Sequence, residues 1–73
     1  MEKLMEILNE LRPDIDFTTE KSLVTDGLFD SFDMISLVGE LEDEFDIQIR
    51  PNNLTPANFD SAQAIMNLIE ELQ

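Results

Sequence analysis

The sequence predicts one all-α domain over residues 1–73, built from three main helices and one short helix. Three observations point there. Apolar residues recur at helical spacing in three separate segments. Prolines and capping residues stand between those segments. The one stretch in which apolar and polar residues alternate, Ile47 to Ile49, has no second stretch to pair with, and strands need partners.

The first helix is expected from about Glu2 to Leu11, with Leu4, Ile7, Leu8 and Leu11 forming one stripe. Pro13 stops it, because the residue before a proline is pushed out of helical geometry. Asp14 to Asp30 then reads as a long connection. It holds Ile15, Phe17, Leu23, Val24, Leu28 and Phe29, more apolar groups than a solvated linker needs, so it is expected to fold back over the helices and bury several of them. Thr18 to Leu23 suggests a short turn of helix, and Asp26-Gly27 a turn in which the glycine takes positive φ.

The second helix is expected from about Ser31 to Phe45. At about 100° per residue, Met34, Leu37, Val38, Leu41 and Phe45 share an arc and form the core face. Ser31, Phe32, Ile35, Gly39, Glu42 and Asp46 gather on another side, where core packing alone does not require Phe32 and Ile35. Ile47 to Leu54 reads as extended loop. Thr55-Pro56 looks like a cap followed by proline at the first helical position, opening the short helix that ends at Phe59. Asp60 or Ser61 caps the last helix, which runs to about Leu72 with Ala62, Ile65, Leu68, Ile69 and Leu72 as its stripe and Met66 at the edge. Met5, Met34 and Met66 read as core fillers.

Composition narrows the function. A chain of 73 residues makes a small core, and it has neither His nor Cys. The usual general base, the commonest metal ligand and the thiolate nucleophile are therefore missing, which argues against an autonomous enzyme. Seventeen acidic residues against four basic ones give a formal net charge of −13. That balance disfavours nucleic acid and anionic membrane surfaces and favours partners with basic patches. With 42% hydrophobic residues and clear periodicity, the acidity does not signal disorder. The start, Met1 to Glu6, lacks a basic region and an uninterrupted apolar stretch, and no apolar run approaches the roughly 20 residues of a membrane span, so the default location is the cytoplasm.

The sharpest local feature is Gly27-Leu28-Phe29-Asp30-Ser31-Phe32-Asp33, where a loop turns into the second helix. A helix start offers unpaired N–H groups and partial positive charge, so a phosphodiester on a serine there gains hydrogen bonds and a favourable field. No His is present to activate Ser31, so activation must come from another protein.

Asp30-Ser31-Phe32-Asp33, the acidic run Leu41-Glu42-Asp43-Glu44-Phe45-Asp46, and Ile49 with the proline that follows resemble the attachment region and recognition helix of acyl carrier proteins. The resemblance covers essentially the whole chain and implies an acyl-carrier-like four-helix bundle that is not an enzyme. It implies that a phosphopantetheinyl transferase moves 4′-phosphopantetheine from coenzyme A onto Ser31, and that the arm's thiol then carries acyl groups for fatty-acid, polyketide or related type II biosynthesis. It further implies a monomer whose acyl-loading and acyl-processing partners dock through basic patches. By position, Asp30, Asp33, Glu42 and Asp43 become candidate electrostatic contacts, with Phe32 and Ile35 as apolar contacts near the arm.

The chain departs from fatty-acid carriers at Ser36, where an acid is usual, at Gly39, where Met is usual, and at Leu28-Phe29, where Gly-Ala is usual. Gly-Leu-Phe-Asp-Ser is also similar to D-alanyl and other aminoacyl carriers, which are served by an adenylating ligase.

Plainer readings stand beside these. Ser31 can serve as a simple N-cap, the acids as a solvated face, and the whole chain as an unmodified acidic helical adaptor for a basic partner. Asp14-Ile15-Asp16 opens like a calcium loop, but Thr19 and Thr25 stand where that loop needs Gly and Glu.

Overall fold

A computed structural model describes residues 1–73. Four helices and no strands make up its regular structure: α1 over Glu2–Leu11, α2 over Ser31–Phe45, α3 over Pro56–Phe59 and α4 over Ala62–Leu72. A single 3₁₀ turn, Pro51–Asn53, interrupts the extended segment before α3. No helix is long and apolar enough to cross a membrane.

Each helix follows from its local sequence. In α1, Leu4, Ile7 and Leu8 are buried, and hydrogen bonding ends where the Arg12 N–H meets the Leu8 carbonyl, just before Pro13. In α2 the fully buried pair is Leu37 and Leu41, while Met34, Val38 and Phe45 are only partly covered. Asp46 ends α2 in the left-handed region at φ 54°, a place more often held by glycine but open to Asp. Ser61, not Asp60, caps α4, its hydroxyl accepting the Ala64 N–H at 3.0 Å. Thr55 precedes α3 in extended geometry without a side-chain cap bond.

The core joins α1, α2, α3 and α4 with the long connection between α1 and α2. α1 packs on both α2 and α4, and α3 packs on α4. Phe59 is fully enclosed. The connection contributes Ile15, Phe17, Leu23 and Phe29, all buried, with the Phe17 and Phe29 rings edge to face at 5.9 Å. Its Thr18 to Leu23 stretch forms turns but no helix. Gly27 takes positive φ at 77°, as the turn requires.

Two polar clamps hold this connection in place. On one side, Asp60 Oδ1 accepts the N–H groups of Val24 and Thr25, each at 2.9 Å, and Oδ2 accepts the Thr25 hydroxyl at 2.7 Å. The Leu23 N–H adds a bond to the Asp60 carbonyl. The Thr25 hydroxyl and N–H hold the Asp60 carboxyl below its usual pKa. On the other side stands Arg12, treated below. The sequence had Asp60 as a possible helix cap, and the structure instead gives it to the loop.

Candidate functional site

The start of α2 is organised by a reciprocal pair of aspartates. Asp30 lies in extended geometry as the N-cap, and its Oδ1 accepts the Asp33 N–H at 2.8 Å. Asp33 answers by accepting the Asp30 N–H through Oδ2 at 3.3 Å, which closes a capping box with Asp in the place of the usual Glu. Ser31 is therefore the first helical residue and not the cap. It is exposed, and its hydroxyl is left out of the box. The plain N-cap reading of Ser31 is thereby removed, since its neighbour already does that work.

The same geometry corrects the picture of a bare positive helix end. The Asp33 N–H is taken by Asp30 and the Met34 N–H by the Asp30 carbonyl. The N–H groups of Ser31 and Phe32 remain without backbone partners. Two carboxylates already sit at this terminus and offset its field. An anion brought to this helix start would find two free donors, not four, with acid on either side.

The six residues expected to meet partners divide. Phe32 is 75% exposed and Ile35 73% exposed, although both are large and apolar. Asp30 and Asp43 are exposed as well. Asp33 is buried, unlike the surface acid expected, with its carboxylate bonded to Arg12 and to the Asp30 N–H. Glu42 is half-buried, and its Oε2 accepts the Ile49 N–H at 2.9 Å, tying the segment after α2 back to the helix. Its first service is structural as well.

Two features of the site escaped the sequence. Leu54, 46% exposed, joins Met34, Ile35 and Val38 around a shallow cleft of about 150 Å³ with an almost wholly apolar lining. Ile35 lies one helical turn beyond Ser31, at the usual Cβ spacing of about 5–6 Å, and links that residue to the cleft. Leu54 sits in irregular chain, where no period announces which residue faces α2. The second feature is Arg12, which nothing in the sequence separates from Arg50, the other cation immediately before a proline.

Charge around the site is one-sided. Asp30, Asp33, Glu40, Glu42, Asp43, Glu44 and Asp46 fall within α2 or its caps, and no Lys or Arg lies between Lys21 and Arg50. Of the four cations, Arg12 pairs with Asp14 and Asp33, and Lys3 reaches Glu44 at 3.2 Å across α1 and α2. The Asp14 and Asp16 carboxylates are turned to Arg12 and to Thr18, and each is held below its usual pKa by that hydrogen bond. Gly39 is exposed, and a methyl group placed there would meet nothing within 4 Å.

Comparison with protein-family models, with curated proteins and with solved structures returned no match.

Proposed function

We propose that this chain is a carrier protein with the acyl-carrier bundle, modified at Ser31 by 4′-phosphopantetheine and acting in the cytoplasm as a monomer. The observation that carries the reading is the division of labour at Asp30-Ser31: the aspartate caps α2, and the serine hydroxyl stands exposed and unused by folding. Beside it lie exposed Phe32 and Ile35 and an apolar cleft, in a chain of net charge −13. Apolar groups ringed by acid make a docking surface for an apolar contact framed by Lys and Arg.

Attachment forms a bond between Ser31 Oγ and the phosphorus that bears pantetheine, and breaks the pyrophosphate link of coenzyme A. Adenosine 3′,5′-bisphosphate leaves. The Ser31 proton passes to a base of the transferase, because this chain offers no His. Once bound, the arm supplies a thiol that holds acyl groups as thioesters, and the protein supplies position and address. The acyl-loading and acyl-processing enzymes of a type II pathway are the partners.

Intact mass after incubation with coenzyme A and a broad-specificity phosphopantetheinyl transferase is the test. The protein gains the mass of one phosphopantetheine, and Ser31→Ala gains none while keeping its melting temperature. No gain in either form leaves an unmodified adaptor.

A further inference from the structure

Arg12 ends α1 with a side chain only 28% exposed, unusual for one of just four cations in so acidic a chain. Its guanidinium makes hydrogen bonds in two directions. Nε and Nη2 hold the two Asp14 oxygens at 3.0 and 2.9 Å. Nη1 holds the Leu28 carbonyl at 2.7 Å and Asp33 Oδ2 at 2.8 Å. That Asp33 oxygen is the one that accepts the Asp30 N–H. The fork thus grips the chain on both sides of Ser31, at Leu28 before it and at Asp33 after it. A cation that merely neutralised a surface carboxylate would have no need of the Leu28 carbonyl.

We propose that Arg12 is the positioning residue of the attachment segment: its fork fixes Leu28 and Asp33, Asp33 and Asp30 close the cap, and the closed cap sets the direction in which Ser31 Oγ is offered. The proposal deepens the carrier reading and rests on it. Arg12 acts through Asp33 and Leu28, not on the reacting atoms. Lysine is no equivalent, because a point charge on a flexible stem cannot hold Asp14, Leu28 and Asp33 at once.

The test is the steady-state rate of phosphopantetheine transfer from coenzyme A by a broad-specificity transferase, at a temperature where circular dichroism shows each variant folded. Arg12→Gln lowers kcat about tenfold and leaves KM for the carrier within about twofold, because the docking face is intact and only the offered geometry has changed. Arg12→Lys loses about threefold. Asp33→Asn slows transfer as Arg12→Gln does, and the double variant is no slower than the slower single one, since the two residues act in series. Ile65→Val, which weakens the core in α4, an element that supplies none of the fork's partners, keeps the wild-type rate and so separates positioning from general loss of stability.

A kcat for Arg12→Gln within about twofold of wild type overturns the proposal. Equal slowing by Ile65→Val overturns it too, as does a double variant whose losses multiply. Should Arg12→Gln fail to fold, Arg12→Lys decides, and a wild-type kcat in that variant removes the positioning role. Wild-type protein that takes up no phosphopantetheine refutes the carrier reading and the role of Arg12 with it. A modified wild type with unslowed Arg12 variants removes the role of Arg12 alone.

Discussion

The two sides of the α2 entrance contrast in what folding has used. On the inner side, Asp33 and Leu37 are buried, and the Asp33 carboxylate has its partners inside the chain, Arg12 and the Asp30 N–H. On the outer side, Ser31, Phe32, Ile35 and Asp43 face solvent, and Phe32 and Ile35 expose most of their apolar area. Residues adjacent in sequence are divided between scaffold and surface, Asp30 serving both. The lesson is that a motif is not a unit of function. Half of Asp-Ser-Phe-Asp builds the platform, and the other half is what the platform displays.

The largest effect expected from this contrast separates two apolar residues of one helix. Leu37→Ala removes about 2–5 kcal/mol of stability by chemical denaturation, enough to unfold much of so small a domain. Phe32→Ala changes stability by less than about 0.5 kcal/mol. Comparable losses at the two positions would break the contrast outright.

Gly39→Ala sharpens it in the other direction. The added methyl meets open space, so the helix gains about 1 kcal/mol from propensity alone. A destabilised Gly39→Ala protein would mean that the outer face is covered after all.

Acid separates the polar groups. Asp14, Asp16 and Asp60 have folded-state pKa values below the ordinary 3.8, so their contribution to stability is present above that pH and is lost as pH falls through the folded values. Unpaired surface acids act oppositely, since protonating some of them relieves repulsion in a chain of charge −13. The melting temperature is expected to rise from pH 7 to about pH 5 and to fall below about pH 4. Asp60→Asn flattens the acid side of that profile. A profile that only rises toward low pH would show that the clamps contribute nothing.

The smallest effect concerns association. On the proposed carrier reading, added salt is expected to slow binding to a basic partner enzyme through the on-rate and to leave the off-rate nearly unchanged, as stopped-flow mixing measures. Salt-insensitive association would move docking away from the acidic outer face.

The sequence made the helices legible because period, proline and cap agree within each segment. Glu2–Leu11 follows from apolar spacing with Pro13, and Ser31–Phe45 from apolar spacing, though its cap proved to be Asp30 and not Ser31. The burial of the long connection was legible from its apolar content alone. Partner choice among polar groups was not. Asp33 read as a surface acid because nothing local ties residue 33 to residue 12, and Asp60 read as a helix cap because its real partners lie 35 and 36 residues upstream. Helical periodicity describes one element at a time, whereas a clamp exists only once two elements meet. The partial exposure of Met34 and Val38 has the same origin, since Leu54 covers only part of that face.

The Asp60 clamp also orders events in time. Val24 and Thr25 cannot find their acceptor until residue 60 exists, and closing so distant a pair has an entropic cost that nearer contacts avoid. A chain emerging from the ribosome can close the Arg12 fork once residue 33 is out, but Val24 and Thr25 stay unfastened until residue 60 follows. The connection before α2 is thereby fastened in two stages, and a chain truncated before residue 60 lacks the second.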